Sequence, residues 1–163
     1  MHSANLPRIG GIIESSHLCL VRLLGMQDAA GGAGIAIRTF GDAGINIEFI
    51  SESSDGSGTA NIAVVIGRTD LDRLDEVVAR LERESSALQV STMDDVAVVG
   101  VHGPYFREVP GVAAAFFSAL GEEGVNVLAI ASSISSLCCV VGDADRAAAR
   151  KSILDVFSPP ADH

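Results

Sequence analysis

Apolar and polar positions alternate between two rhythms along this chain. From Leu18 to Met26 the sequence is apolar and β-compatible, broken only by Arg22. It then turns polar and glycine-rich, Gln27-Asp28-Ala29-Ala30-Gly31-Gly32-Ala33-Gly34, before Ile35, Ile37 and Phe40 return at helical spacing. Asp42-Ala43-Gly44 ends that helix, and a second strand is expected over residues 45–51. Ser53-Ser54-Asp55-Gly56-Ser57-Gly58 has turn composition, so residues 59–66 complete a hairpin. Thr69 or Asp70 is placed to cap a helix whose Leu71, Leu74, Val77, Val78 and Leu81 share one face. Residues 87–93 read as a fourth strand, giving the order β-α-β-β-α-β. Residues 1–16 form a lead-in in which Arg8 to Ile13 suits a short strand.

The second half repeats the first. Phe40-Gly41-Asp42-Ala43-Gly44-Ile45-Asn46-Ile47 aligns with Leu120-Gly121-Glu122-Glu123-Gly124-Val125-Asn126-Val127 at a shift of 80 residues, and Gly31 falls on Gly111 at the same shift. Leu24-Gly25-Met26 matches Val99-Gly100-Val101 at a shift of 75, so the second loop is five residues longer. Strands are expected at 96–101, 125–131 and 137–141, with helices from Pro110 to Gly121 and after Asp143. A fixed-period repeat decides architecture. The expected fold is α+β: two ferredoxin-like βαββαβ units, 9–93 and 94–157, each an antiparallel sheet with helices on one face. Asp94-Asp95 reads as a charged linker between them.

Composition narrows the function classes. Hydrophobic residues make up 48% of the chain and aromatic residues 4%, so the core is aliphatic. A net charge of −10 argues against nucleic acid and anionic membranes as partners. No apolar run nears the roughly 20 residues of a membrane helix, and no signal peptide is visible at the N-terminus. Cys19, Cys138 and Cys139 form no disulfide framework and suit free thiols in the cytoplasm. Neighbouring strand residues point to opposite faces, so Cys138 and Cys139 do not chelate one ion, and His102 lacks a second ligand at metal spacing. No metal and no cofactor is implied.

The glycine loop carries the candidate chemistry. A helix start presents N–H groups that lack intrahelical partners and receives an anion such as a carboxylate, and Asp28 is placed to meet a cation. One ligand bearing both charges, an amino acid, suits it. Each residue also has a plainer reading. Asp28 is also suited to cap the helix, Asn46 to a turn-type hydrogen bond at a strand start, and Gly31, Gly32 and Gly34 to a tight turn. Glu52 suits a solvated strand end.

Two such units, with loops leading into helices that end in Gly-Ile-Asn-Ile and Gly-Val-Asn-Val, resemble tandem ACT domains, and most nearly the regulatory half of aspartate kinase. Leu24-Gly25-Met26-Gln27-Asp28, Asp55-Gly56 before Thr59-Ala60-Asn61-Ile62, Arg68-Thr69-Asp70-Leu71, Val98-Val99-Gly100-Val101 and Val109-Pro110-Gly111-Val112-Ala113 carry the likeness across residues 9–157. The resemblance implies an allosteric regulator and not an enzyme, since the family's kinase domain has no counterpart in these residues. It implies an end-product amino acid, lysine or threonine or both, as effector, bound between ACT units. It also implies a homodimer through the ACT sheets, with a kinase-bearing subunit as a further partner. A chain starting at Met1 suits a separate regulatory subunit or a free-standing regulator. Carried over by position, the effector site takes Asp28, Ala30, Gly31, Gly32 and Ala33 from the loop, Ile45 and Asn46 from the start of strand 2, and Glu52 near its end. In the second unit Gly111, Val125, Asn126, Ser132 and Ser133 correspond. The chain departs from the family pattern in lacking Pro before Gly31. It also has Glu52 for a usual Gln, Asn61 for a usual Asp, and Ala131-Ser132-Ser133-Ile134 for a common Ser-Thr-Ser-Glu.

Two other classes compete. Gly32-Ala33-Gly34 after a strand is the start of a dinucleotide fingerprint, with Glu48 or Glu52 near the acidic position, but the third glycine is missing and a hairpin follows where a crossover helix belongs. No Gly-Lys-Ser/Thr and no Gly-x-Ser-x-Gly occurs, against a Walker loop and a nucleophile elbow. A dimerisation or scaffold module that needs no ligand is the other alternative.

Overall fold

The computed structural model describes residues 8–158 apart from 85–87, 105 and 107, so the expected strand start at Ala87 lies outside the described residues. The elements are β1 (Gly11–Gln27), α1 (Gly32–Asp42), β2 (Ile47–Ser54), β3 (Thr59–Gly67), α2 (Leu71–Glu84), β4 (Gln89–His102), α3 (Val112–Glu122), β5 (Val127–Ser132), β6 (Ser136–Gly142) and α4 (Arg146–Val156). The chain divides into two compact units, residues 17–95 and residues 96–158 with 8–16. Residues 9–16, placed by sequence at the head of the first unit, therefore lie with the second.

In the unit of residues 17–95 the strand order is β2-β3-β1-β4. β3 pairs antiparallel with β1, from Leu18 opposite Gly67 to Gln27 opposite Thr59, and with β2, from Ile47 opposite Ile66 to Ser54 opposite Ala60. Period-two alternation sends Cys19, Val21 and Leu23 of β1, with Ile62, Val64 and Ile66 of β3, into one core. Phe40 of α1 and Leu74, Val77 and Leu81 of α2 fill the same cluster, which is the apolar face read from the sequence. Leu20 and Val65, on the opposite face of their strands, are fully buried as well. These strands are apolar on both sides, as strands covered on both faces are.

The helix end explains the repeated peptide. Gly44 adopts φ +69°, its N–H donates to the Gly41 carbonyl at 2.9 Å, and the Ile45 N–H donates to the Phe40 carbonyl at 3.0 Å. This is a Schellman cap with the glycine at its left-handed position. Ile45 and Phe40 are both buried in the core it closes. The second copy repeats it: Gly124 at φ +73°, its N–H on Gly121 at 3.0 Å, and the Val125 N–H on Leu120 at 2.9 Å. Residues 45–46 and 125–126 thus belong to the caps, and the strands begin at Ile47 and Val127.

In the unit of residues 96–158 the order β1-β4-β6-β5 places the N-terminal half of β1 beside β4. β6 is antiparallel to β4, from Val96 opposite Gly142 to His102 opposite Ser136, and to β5. The core gathers Ala97, Val99 and Val101 with Phe116, Leu120, Ile153 and Phe157. Both units are ferredoxin-like, and the second takes its last strand from the start of the chain. The expected linker at Asp94-Asp95 is instead continuous strand within β4, with Asp95 at φ +55°. His17 in β1 has φ +59°, and these two are the only non-glycine residues with positive φ among the described residues. Asp and His are among the side chains that tolerate this backbone best.

Burial pushes the thiols of Cys19 and Cys139 up to about 12, from 9.0, helped for Cys19 by its bond and proximity to Asp94 and for Cys139 by Cys138. A folded-state pKa above the unfolded one stabilises the fold below the unfolded value and loses that contribution as pH rises towards the folded value. Melting temperature should therefore fall between pH 9 and pH 12, and the Cys19→Ala/Cys139→Ala double variant should show the shallower fall when both are followed by circular dichroism. Gly124→Ala should lower stability by about 1 kcal/mol for its left-handed backbone, roughly 2–4 °C in Tm. Gly121→Ala, in the last turn of α3 with nothing within 4 Å of the added carbon, should be neutral or stabilising in the same thermal scan.

Candidate functional site

The candidate site is the four-residue connection from β1 to α1. The Asp28 N–H donates to the Gly58 carbonyl at 3.0 Å, which ties the loop to the tip of the β2–β3 hairpin. The Asp28 carboxylate accepts a hydrogen bond from the Ser54 hydroxyl at 2.6 Å and stays exposed. The Gly32 N–H donates to Ala29 at 2.9 Å, and Gly31, at φ +88°, is the N-cap of α1. No side chain caps this helix. The capping role open to Asp28 from sequence is thus filled by backbone, and Asp28 is held to one side by Ser54. Gly111 repeats the arrangement at the start of α3 with φ +90° and no side-chain cap. A β-carbon at Gly31 or Gly111 would meet nothing within 4 Å, so the backbone sign and not crowding selects glycine there.

The other sequence candidates fall into three groups. Ile45 and Val125 are buried core residues of the Schellman caps, while Asn46 and Asn126 beside them are exposed. Glu52 is exposed on β2, opposite Ile62. Ser133 is engaged by the β5–β6 turn: its hydroxyl lies 2.8 Å from that of Ser136 and accepts the N–H of Ser136 at 3.0 Å. Ser132 ends β5 and is exposed.

Two hollows show which candidates come together. A cavity of about 180 Å³ beside the first loop is lined by Ala30 and Gly32, with Met26, Ile35, Leu81 and Glu84, and neither Asp28 nor Asn46 reaches it. A cavity of about 200 Å³ joins Ser132 and Ser133 to Val112 and Ala113 of the first turn of α3, with Phe106 and Leu137. Asn126, Val125 and Gly111 do not line it. Sequence reasoning missed Ser54, the partner of Asp28, and Phe106. The run Ser53-Ser54 inside a turn was the only signal for the first.

Asp55 shows how the hairpin tip is held. Hydrogen bonds from the Ser57 and Thr59 hydroxyls, at 2.6 and 2.7 Å, and from the Ser57 N–H keep its carboxyl well below the usual carboxylate range. Asn61, at the position where the family pattern has Asp, accepts the Gly25 N–H at 3.0 Å where β1 bulges. Among the described residues no group of three or more His, Cys, Asp or Glu could hold a metal ion, and no helix is long and apolar enough to cross a membrane. What the first loop offers is a helix start without a side-chain cap beside an exposed carboxylate.

Comparison with known proteins identifies the family of both units. Two ACT-domain profiles match, one over residues 21–85 and the other over residues 96–157. The aspartokinase of Corynebacterium glutamicum is 29% identical over 149 residues, which take in 90% of this chain and 35% of that protein. The chain thus spans about a third of the length of the curated relatives it matches. The regulatory subunit of aspartate kinase from Thermus thermophilus, in its ligand-free form, superposes with a TM-score of 0.81 at 20% identity, covering 92% of this chain and 99% of that one. Aspartokinase III of E. coli, in complex with lysine and aspartate, superposes with a TM-score of 0.67 at 18% identity, over 96% of this chain and 35% of that one. The two profile matches together cover most of the sequence, and the chain belongs to the ACT-domain family, as two ACT units in tandem that resemble the regulatory region of aspartate kinases.

Proposed function

We propose that this chain is an amino-acid-binding allosteric module of the aspartate kinase type, which senses an end-product amino acid, lysine or threonine or both. The observation that carries the reading is the start of α1. Gly31 turns the chain so that no side chain blocks the first turn, and Asp28 stands beside it as an exposed carboxylate. The effector's carboxylate binds the N–H groups of Gly31 and Ala33 at the first turn, since that of Gly32 is taken by the Ala29 carbonyl, and its ammonium meets Asp28. Glu52, two residues before Ser54 on β2, supplies a further polar group, while Asn46 lies at the far end of β2 and does not meet this ligand. In the second unit the ligand meets Ser132 beside the first turn of α3 that Gly111 opens, with Ser133 as a structural support, while Val125 and Asn126 lie at the far end of β5. The similarity to aspartokinases, one of them crystallised with lysine, supports the effector class. Its regulatory role, without catalysis of its own, is exercised in the cytoplasm on a kinase-bearing partner.

Asp28→Asn keeps the shape of the side chain and its ability to accept from Ser54, but removes the charge. A charge-assisted hydrogen bond is worth about 1.5–3 kcal/mol, so affinity should fall roughly ten- to a hundredfold. Tm should barely change, since Asp28 caps no helix. Calorimetric titration with lysine and with threonine, paired with thermal melting, reads both quantities. Asn126→Ala should cost less affinity than Asp28→Asn. Unchanged binding by the Asp28→Asn protein would remove this site.

One observation favours the assembly reading alongside. Ile50 and Ile130, 80 positions apart, sit at 43% and 48% exposure on β2 and β5, each at the end of its unit's strand order. Paired apolar side chains on edge strands suit a second copy. The chain should be a homodimer at micromolar concentration by light scattering, and Ile50→Lys/Ile130→Lys should shift it to monomer. A parent protein of monomer mass would sink this part of the proposal.

A further inference from the structure

At one buried helix position the two copies carry side chains of very different size. α1 and α3 are both 11 residues long, and each is opened by a left-handed glycine, at a shift of 80. Ala36 therefore corresponds to Phe116, and both are fully buried. In the unit of residues 96–158 the Phe116 ring fills its place, with the ring centroid of Phe117 at 5.1 Å and that of Phe157 at 6.4 Å. In the unit of residues 17–95 the same position carries only a methyl group. The cavity of about 180 Å³ beside the first loop has Ala36 in its wall. Met26 from the end of β1, Ile35 of α1, Leu81 of α2 and Leu88 beyond it supply the rest of its apolar lining. Glu84, which ends α2, is the one charged group among the described residues that line it.

An apolar hollow with room for a ring forfeits packing contacts, and a molecule of that size recovers them. The walls set the chemistry of the molecule. Ile35, Leu81 and Leu88 offer aliphatic surface, and the Met26 thioether packs well against an aromatic edge. The Glu84 carboxylate is exposed at the rim. Its ion-pair partner Arg80, at 3.7 Å, is shared with Asp42, which takes it at 3.0 Å. We propose that this hollow is a binding site for a small amine with a ring-sized apolar body. The body takes the place that Phe116 fills in the other copy, and the ammonium meets Glu84. A ligand of the same shape with a carboxylate head is repelled by Glu84. Asp28 does not line the hollow, so the site goes beyond the effector reading and does not depend on it.

Methyl NMR on the full chain tests it, with benzylamine as the probe and benzyl alcohol and benzoate as its neutral and anionic counterparts. Benzylamine should shift the methyl signals of Met26, Ile35, Leu81 and Leu88, and benzoate should bind about tenfold more weakly. Ala36→Phe restores the ring of the other copy and should weaken benzylamine by more than about tenfold, with Tm at or above the parent value. Ala36→Leu, a smaller filling that strains the wall less, should weaken it roughly threefold or more. Glu84→Gln should weaken benzylamine roughly three- to tenfold and leave benzyl alcohol unchanged. Asp28→Asn should bind benzylamine as the parent does. Unmoved methyl signals, equal binding of benzoate and benzylamine, parent-like binding by both Ala36 variants, or loss of benzylamine in Asp28→Asn would each overturn the site.

Discussion

Each unit depends on a backbone constraint at the two ends of one helix. α1 runs from a left-handed Gly31 to a left-handed Gly44, and α3 from Gly111 to Gly124. At the front, positive φ lets the chain leave the strand and enter the helix with no side chain on its first turn. At the back, the Schellman bonds turn the chain so that Ile45 or Val125 drops into the core two residues before the next strand. An L side chain at either end costs about 1–2 kcal/mol in backbone strain alone. Helix length, the start of the following strand and a first turn free of side-chain caps all follow from the same pair of glycines.

That is why so much of the fold was legible. Schellman glycines and hydrophobic periodicity are local signals, and they recur in both halves at one spacing. The βαββαβ order, the apolar face of α2 and both ACT units could be read without any long-range information. What could not be read was continuity. Asp94-Asp95 has the composition of a linker, yet β4 runs through it, because one left-handed Asp lets the strand rotate without breaking. Gly10-Gly11 looked like the edge of a lead-in. Their meaning depends on His102, some 90 residues away along the chain, and no periodicity reports such a partner.

The site was less legible than the fold for a related reason. Asp28 could be singled out as a polar residue before a helix, and it is exposed. Its hydrogen bond to Ser54 joins two loops separated by 26 positions, which only the hairpin register brings together. Ser133 matched a family position by alignment, but its hydroxyl is taken up by a three-residue turn whose bonds are set by the short β5–β6 connection. Sequence position and chemical availability are different properties, and the second is fixed by neighbours that the first does not name.

The duplication of the fold therefore does not carry with it a duplicated site. The first loop carries Asp28, bonded to the hairpin that also bears Asp55, and the latter is kept ionised by three hydrogen bonds at the hairpin tip. The cavity at the start of α3 has serines, Phe106 and Leu137 in its wall and no acidic residue among those lining it. A helix start favours the carboxylate of a ligand equally in both places. The groups that would answer the ligand's cation differ, because side chains at the hairpin tips have diverged while the backbone that presents them has not. Divergence confined to the tips leaves the glycine-bracketed helices untouched, so selectivity at the two loops can change without any cost to the core that each unit shares.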